Sequence, residues 1–300
     1  MVEQRASLLR WMAVGGAALL AFVVVVLVLV FYSMRGVESD LALGGDKVAV
    51  VDVIGEIRDV SNIVEEIQKY GKEDSVRAIV IRLNTPGGSA AATQEVFSEI
   101  KRVREEKKKV VVASIASVGA SGGYYIACAT QQIFANPSSI TGSIGAIAQW
   151  TNYGELLRWA KMKDVVIKSG AFKDAGNPAR DLTPEERAYI QGVIEDIYGH
   201  FVNAVAEGRK MKVEEVRKLA DGKVFTGTQA LQNHLVDRLG NLPDAIREAA
   251  KLAGIKGEPR VVHPSRERRS LLDWLIGDKL PLPPVVRNSE APVQFQYLWK

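Results

Sequence analysis

The sequence predicts an α/β fold with a largely parallel β-sheet, preceded by one apolar segment. Runs of aliphatic and β-branched residues alternate along the chain with patterns of helical period. Parallel strands need a crossover connection, which is usually a helix, so this alternation favours a parallel sheet covered by helices. With 300 residues, 47% of them hydrophobic, the chain is long enough to bury one sizeable core.

The first half of the predicted domain contains three strands and two helices. We expect strands over Val48–Ile57, residues 78–83 and Val110–Ile115, where apolar and β-branched side chains dominate the runs. Helices are expected over Ser61–Tyr70 and Ala90–Lys107, which carry apolar side chains at helical spacing. This order of elements predicts that the strands pair in parallel, with the helices crossing between them.

The second half is predicted to be mostly helical. A long helix is expected to follow Thr183 and to end near Ala206. Thr183 can cap this helix, Pro184 suits its first turn, and Glu186 completes a capping box. These three residues make this helix start the clearest one in the sequence.

The end of the chain is predicted to be a looser extension. A short helix is expected over Val213–Ala220 before it. From residue 263 the chain contains several prolines, with a short helix predicted over Leu271–Ile276 and an extended tail over residues 292–300. The alternation of Phe295, Tyr297 and Trp299 in this tail would allow it to lie as a strand in a substrate groove.

An uncharged segment covers residues 11–34. As a helix it would span about 36 Å, enough to cross a bilayer, whereas the apolar region of a cleaved signal peptide has only about 7–15 residues. We therefore expect a transmembrane anchor, followed by a linker over residues 35–46. Two basic residues precede the segment and one follows directly, which favours a cytoplasmic segment 1–10 and an extracytoplasmic domain at the cell membrane.

The composition argues against several classes of protein. The net charge of +4 is spread along the chain rather than gathered in a basic stripe, so no nucleic acid is expected as a partner. Lys107, Lys108 and Lys109 are interpreted as a solvated helix end. The single cysteine, Cys128, lies in an apolar run and is interpreted as a buried thiol. No cysteine and histidine residues have zinc spacing, so neither a metal nor another cofactor is predicted.

Three glycine-rich turns each follow a strand-like run. They cover residues 84–89, 119–124 and 141–145. Glycine permits a positive φ angle and lets backbone N–H groups approach a ligand closely. Where a strand leads into a helix, those N–H groups and the helix dipole favour developing negative charge. Such turns are therefore candidate sites for an acyl-transfer reaction.

Ser121 is the candidate nucleophile within the second turn. It lies where a helix is expected to begin, between residues small enough to leave its hydroxyl accessible. Attack on a carbonyl group produces an oxyanion, which the N–H groups of Gly122 and Gly88 could receive. From the residues alone, two interpretations of this glycine turn remain: a catalytic site, or a loop that only connects the strand to the helix.

A serine nucleophile needs a base, and the sequence leaves two residue types open. Histidine is the usual base, but His200, His234 and His263 each lack an obvious orienting carboxylate. A lysine can serve only when neutral, and its reference pKa of about 10.4 must fall by about three units for this. Composition does not choose among the candidate lysines, which are Lys161, Lys163, Lys168 and Lys173.

The ordered motifs resemble those of the signal peptide peptidase A family, in its short, single-domain form. The resemblance runs from about residue 47 to residue 240. It rests on Asn84-Thr-Pro-Gly-Gly-Ser89, Ala120-Ser-Gly-Gly-Tyr-Tyr125, Thr141-Gly-Ser-Ile-Gly145, Lys168-Ser-Gly-Ala-Phe-Lys-Asp174 and Asp221-Gly-Lys-Val-Phe-Thr-Gly227. It implies a ClpP/crotonase-like ββα superhelix for the peptidase domain, placed over residues 47–262, with residues 263–300 as a C-terminal extension.

The resemblance also implies a role for each matching residue. Ser121 would be the nucleophile and Lys173 the general base of a Ser–Lys dyad. Ser143 would hold the amine of the base, and Gly88 and Gly122 would donate to the oxyanion. The short family members form dome-shaped homo-octamers in which neighbouring protomers complete each active site. They cleave remnant signal peptides and other apolar peptides.

Several alternatives remain at this stage. The string from Gly119 to Gly123 also satisfies the G-x-S-x-G pattern of an α/β-hydrolase, which would make the protein an esterase with a histidine base. The crotonase fold also hosts acyl-CoA chemistry, and a catalytically silent membrane scaffold is a further alternative. A related group of peptidases cleaves stomatin-like membrane proteins, and sequence separates these substrate classes poorly.

Overall fold

The computed structural model describes residues 15–16, 19–25, 45–263 and 294–299. The chain divides into two compact units, residues 1–45 and residues 46–300. Of the predicted anchor, the described residues 15–16 and 19–25 are helical. No helix within the described residues is both long enough and apolar enough to span a membrane. The predicted segment 1–10, nearly all of the linker 35–46 and the predicted helix Leu271–Ile276 lie outside the described residues.

The second unit is built from strands and helices that alternate along the chain. Its described strands are β1 (Lys47–Ile54), β2 (Val76–Thr85), β3 (Gly87–Ser89), β4 (Val110–Ala120), β5 (Gln132–Ala135), β6 (Ile140–Gly142), β7 (Ile147–Gln149), β8 (Val224–Thr226), β9 (Arg238–Leu239), β10 (Arg260–Val262) and β11 (Gln294–Leu298). Its described helices are α1 (Ser61–Lys72), α2 (Ala90–Glu105), α3 (Gly122–Ala127), α4 (Gly154–Trp159), α5 (Pro184–Arg209), α6 (Val213–Leu219), α7 (Gly227–Gln232) and α8 (Leu242–Leu252).

The main sheet is largely parallel, as the alternation of elements predicts. Among the described residues it contains eight strands, and six of them follow the order β10-β1-β2-β4-β5-β9. Every neighbouring pair in that order is parallel. Strand β6 pairs in parallel with the end of β4 and antiparallel with β8. The carboxyl ends of β2 and β4 therefore meet at one edge of the sheet.

Both faces of this sheet are buried. In β1, Val48 and Val50 pack in a cluster with α8, whereas Ala49 and Val51 belong to the larger core beneath α1, α2, α3 and α5. Side chains alternate between the two faces of a strand, so a strand covered on both sides must be apolar throughout. Burying each valine side chain contributes about 1.5 kcal/mol or more. The continuous apolar runs in the sequence follow from this.

The boundaries of the predicted elements differ from the observed ones by three residues or more in three places. Strand β1 ends at Ile54, because Gly55 takes a φ of 77° and turns the chain. Strand β4 continues past the predicted end at Ile115 to Ala120, since its last residues pair with β2 and β6. The helix predicted to end near Ala206 continues to Arg209. Its predicted capping box, at Thr183, is present.

A second sheet forms at the same edge as the carboxyl ends of β2 and β4. Within the described residues it has three strands in the order β3-β11-β7. Both pairings of β11 are antiparallel. Strand β11 comes from the C-terminal tail, so the predicted extended conformation is confirmed over residues 294–298. The tail lies between β3, which is part of the first glycine-rich turn, and β7, which follows the third.

Candidate active site

Ser121 lies between β4 and α3 in a constrained backbone conformation. Its φ and ψ angles are 52° and −116°, a combination that L-amino acids rarely adopt. Its N–H donates to the carbonyl oxygen of Gly142 (2.8 Å), and its own carbonyl accepts from the N–H of Tyr125 (2.9 Å). Such a conformation costs on the order of 1–3 kcal/mol and persists only where the surrounding structure fixes it. Strand, helix and hydrogen bonds together hold Ser121 at this sharp turn.

Ser143 lies beside Ser121 because of the pairing of β6 with β4. Ala120 and Gly142 are register partners, so the next residue of each strand leaves the sheet at the same edge. Ser143 also has a positive φ, 51°, and its N–H donates to the carbonyl oxygen of Lys223 (2.8 Å). Ser121 and Ser143 are 1% and 6% exposed and line one cavity of about 630 Å³. The structure thus brings two of the predicted site residues together.

The two predicted oxyanion glycines lie against the tail. Gly88 is the register partner of Tyr297 in the β3–β11 pair. A Cβ atom on Gly87, whose φ is 103°, would lie 1.9 Å from the carbonyl oxygen of Tyr297, so only glycine fits there. A Cβ atom on Gly122 would lie 3.2 Å from the same oxygen and 2.6 Å from Oγ1 of Thr93. A peptide carbonyl group therefore occupies the space between the two glycine-rich turns.

The side chain of Tyr297 fills an aromatic pocket and is fully buried. Its ring stacks on Tyr125, with centroids 5.2 Å apart, and lies 4.8 Å from the ring of Phe201. Its hydroxyl donates to the carbonyl oxygen of Ile197 (2.6 Å). Burial, and secondarily the neighbouring Tyr125, raises the pKa of the Tyr297 phenol. The pocket thus combines apolar walls with one hydrogen-bond acceptor at its end.

The residues after Tyr297 continue along the cavity that holds Ser121. Leu298 and Trp299 both line this cavity. The N–H of Trp299 donates to the carbonyl oxygen of Pro86 (2.8 Å), which extends the pairing of the tail beyond β11. The tail therefore lies as an extended peptide along the candidate active site.

Lys173 is placed differently from the two serines. It lies in a turn between α4 and α5, with its N–H donating to the carbonyl oxygen of Gly170 (3.1 Å), and it is exposed. Among the described residues, those that line the cavity at Ser121 do not include Lys173. A single chain thus brings Ser121 and Ser143 together and leaves the third predicted site residue outside their cavity.

Charged side chains hold the turn around Lys173 to the start of α5. The guanidinium of Arg180 donates to both carboxylate oxygens of Glu186 (2.8 and 2.6 Å) and to Asp174 (3.1 Å). The ammonium of Lys168 donates to Asp174 and to the carbonyl oxygen of Ala171 (2.8 Å for the latter). Lys168 and then Arg180 lower the pKa of Asp174, and Arg180 lowers that of Glu186 to about 2. The turn is therefore well ordered although it is exposed.

The remaining candidate bases lie away from the cavity at Ser121. Neither Lys161 nor Lys163 lines it, and Lys163 instead lines a separate cavity beside Asp174. His200 is exposed on α5 and lies 3.7 Å from Asp196 of the same helix. His234 and His263 do not line the cavity at Ser121 either. Of the three histidines, which all lie in the described part of the chain, none lines the cavity at Ser121, where an esterase would need its base.

Comparison with known proteins identifies the family of this chain. Residues 103–256 match peptidase family S49. The chain is 39% identical over 243 residues to a protein of Synechocystis that is named as a protease, covering 81% of this chain and 87% of the relative. It is 35% identical over 190 residues to a protein of Enterococcus faecium named as signal peptide peptidase SppA, covering 63% of this chain and 55% of the relative.

The chain belongs to peptidase family S49. It is a serine-type peptidase, and the predicted resemblance to signal peptide peptidase A is confirmed. Protease 4 of Salmonella typhi is also similar, at 35% identity over 223 residues, which is 74% of this chain but 33% of that protein. The mixed α/β architecture with its parallel-rich sheet fits the S49 fold.

Cys128 takes no direct part in this S49 site. Its thiol is buried, and burial raises its pKa to about 12, so it is protonated at neutral pH. This agrees with its interpretation as a structural residue. Among the described residues, no group of three or more histidine, cysteine, aspartate or glutamate side chains could hold a metal ion.

Sequence reasoning missed several residues of the S49 site. Tyr125 and Phe201 form the pocket for Tyr297. The sequence pattern indicates only that they are apolar positions of two helices. Thr93 is fully buried against Gly122, and its hydroxyl has no hydrogen-bond partner among the described residues. A polar residue on the inner face of α2 was the one signal that could have drawn attention to Thr93.

Proposed function

We propose that this chain is a membrane-anchored serine endopeptidase that cleaves apolar peptides, including remnant signal peptides, with a Ser121–Lys173 dyad. The observation that carries this proposal is the position of the tail. An extended peptide lies antiparallel to β3, and one of its carbonyl groups lies between the turns of Gly88 and Gly122. A substrate bound in the same manner would present its scissile carbonyl group at the edge where Ser121 leaves the sheet.

The chemistry follows from the roles proposed for these residues. The amine of Lys173 accepts the hydroxyl proton of Ser121 while Oγ forms a bond to the scissile carbonyl carbon. The N–H groups of Gly88 and Gly122 stabilise the oxyanion, and Ser143 holds the amine. The protonated amine then gives its proton to the leaving amine as the C–N bond breaks. Water hydrolyses the resulting ester of Ser121, with the same amine as the base.

A homo-oligomer, as in the octamers of similar short peptidases, would complete this site. The segment around Lys173 exposes unusually large apolar side chains for a monomer surface. Trp159 is 82% exposed and Ile167 is 97% exposed, and Val165 and Phe172 are also exposed. Contiguous exposed apolar surface is typical of protein interfaces. An assembly in which one protomer supplies Lys173 to the Ser121 cavity of the next would account for both its exposure and its position.

The membrane anchor is supported by the sequence. Residues 11–34 are uncharged and long enough to span a bilayer. Anchored in this way, with the catalytic domain outside the cytoplasm, the enzyme would meet substrates that partition into lipid. Stomatin-like membrane proteins are the alternative substrates, because the same anchor would bring the site to them as well.

The esterase and scaffold alternatives are less well supported. An esterase would need a histidine base, and none of the three histidines lines the cavity at Ser121. A scaffold would not need a serine held in a strained turn beside a second serine in a cavity.

The decisive experiment compares cleavage products. The full-length protein and its Ser121→Ala variant are incubated with a mixture of synthetic signal peptides, and the products are identified by mass spectrometry. We expect cuts within the apolar regions for the wild type and none for the variant. Equal product patterns from the two proteins would refute the proposal, and cleavage of ester substrates alone would favour the esterase.

A further inference from the structure

A carboxylate lies next to the proposed base in the chain. Asp174 directly follows Lys173, and consecutive Cα atoms are about 3.8 Å apart. A carboxylate this near would favour the charged form of the amine, whereas a base must be neutral to accept a proton. The structure shows the carboxylate of Asp174 engaged elsewhere. One oxygen accepts from Lys168, and the other accepts from Arg180 at 3.1 Å.

Lys168 and Arg180 are themselves held in place. Lys168 also donates to the carbonyl oxygen of Ala171, and Arg180 forms two bonds with Glu186 at the start of α5. Glu186 is 3% exposed and also closes the capping box of that helix. The amine of Lys173, by contrast, has no hydrogen-bond or ion-pair partner among the described residues. The carboxylate thus has two fixed cationic partners, and the proposed base has none.

The two carboxylates of this cluster, Asp174 and Glu186, are matched by two cations, Lys168 and Arg180. The carboxylates of Asp174 and Glu186 have lowered pKa values, so both are ionised from pH 6 upward and neither titrates near neutrality. Arg180 keeps its proton, since its partners raise its pKa. Three further charged groups, Arg158, Lys163 and Asp164, line the cavity beside Asp174, and the carbonyl oxygen of Asp181 accepts from Arg180.

We infer that Lys168 and Arg180 are positioning residues that hold the carboxylate of Asp174 away from the amine of Lys173, which keeps that amine available as a base. This inference rests on the proposed function of Lys173. It assigns a role to Lys168, for which the sequence alone indicates only a candidate base. In this arrangement the two cations act on the reaction through Asp174 and touch neither substrate nor Ser121.

The test is a pair of charge changes with opposite signs. Lys168→Met frees the Asp174 carboxylate, and Asp174→Asn removes its charge while keeping its shape. For each variant, kcat on an uncharged apolar peptide is measured from pH 6 to pH 10. We expect the midpoint of the alkaline rise in kcat to move upward by about half a pH unit or more in Lys168→Met and downward by a similar amount in Asp174→Asn.

Matched controls separate this role from a merely structural one. Lys47 and Glu73 form an ion pair of 2.9 Å at the opposite edge of the sheet, so Lys47→Met and Glu73→Gln change the charge equally and should leave the midpoint unmoved. The inference would be overturned if the midpoints of both test variants moved in the same direction, or if kcat fell without any change in the midpoint. Thermal unfolding of each variant identifies a folding defect as the cause of a loss.

Failure of the proposed function and failure of this inference give different experimental results. If Lys173→Ala retained the activity of the wild type, Lys173 would not be the base, and the proposed function and this inference would fail together. In the other case, Lys173→Ala is inactive and the kcat of the wild type rises with pH. If Lys168→Met and Asp174→Asn then have the same midpoint as the wild type, only the role of Lys168 and Arg180 is wrong.

Discussion

The cavity at Ser121 and the segment that carries Lys173 are built in opposite ways. Ser121 and Ser143 are buried, lie at the ends of paired strands and have backbone angles fixed by hydrogen bonds. Lys173 lies in an exposed turn that is held to α5 by charged side chains rather than by a core. Under the proposed function, the nucleophile is held in the core of one chain, whereas the base on an exposed turn could enter the site of a second copy. If the protein forms a homo-oligomer, this comparison predicts that inactive variants of Ser121 and Lys173 can restore each other's activity.

The largest effect is expected for Ser121, the proposed nucleophile. Ser121→Ala removes the attacking oxygen, and we expect kcat for peptide cleavage to fall by at least about 10⁴-fold with little change in thermal stability. Steady-state kinetics and thermal unfolding measure the two quantities. Ser98→Ala, on the exposed face of α2, is the matched control and should retain full activity. Substantial turnover by Ser121→Ala would exclude it as the nucleophile.

The second effect is the recovery of activity when two inactive variants are mixed. It distinguishes an active site formed by two protomers from one formed within a single chain. Lys173→Ala should be nearly inactive when alone, as should Ser121→Ala. If one protomer supplies Lys173 to the next, subunits of the two variants that are unfolded and reassembled together should regain about a quarter of the wild-type activity, because each half of a site is intact in half of the subunits. Activity is measured after mixing at equal concentrations.

The control for this mixing experiment is each variant reassembled with itself. Light scattering checks that the mixed and unmixed samples have the same mass. A mixture that is no more active than the separate variants would show that both residues of the dyad must come from one chain.

Sequence patterns predict these two regions to different degrees. The turn at Ser121 was foreseeable, because an apolar run followed by Gly119-Ala-Ser-Gly-Gly123 is a strand that enters a helix through a tight turn. The partnership with Ser143 depends on the pairing of β6 with β4, which periodicity does not specify. Lys173 could be assigned only by resemblance, since nothing in its local pattern distinguishes it from other exposed lysines.

The tail shows why register is harder to predict than extension. The alternation of Phe295, Tyr297 and Trp299 indicated a strand, and that conformation is confirmed over residues 294–298. Its partners, β3 and β7, are far from it in sequence, so local pattern cannot choose them. The burial of Tyr297 depends on the shape of a pocket made by residues from two helices, which becomes visible only in three dimensions.

The third effect concerns the tail as an occupant of the preformed cavity. Removing residues 294–300 should raise kcat/KM for a short peptide by about three- to tenfold, because the tail must leave before a substrate binds. Tyr297→Phe keeps the ring and loses the hydrogen bonds of the hydroxyl, including the one to Ile197, so it should give a smaller increase. Initial rates at low substrate concentration measure both. Equal or lower activity after truncation would show that the tail does not compete with substrate.

The smallest effect is expected at Cys128, which lies in the rigid region but outside the chemistry. With a pKa of about 12, only about one thiol in ten thousand is ionised at pH 8, and the side chain is buried. Iodoacetamide should therefore leave the native enzyme unlabelled and active. Cys128→Ala should lower the free energy of unfolding by about 1–2 kcal/mol and leave kcat unchanged. Labelling is followed by mass spectrometry with the unfolded protein as the positive control. Rapid alkylation of the native enzyme would mean that the core beneath α3 opens often, and the contrast between a buried Ser121 and an exposed Lys173 would then lose its basis.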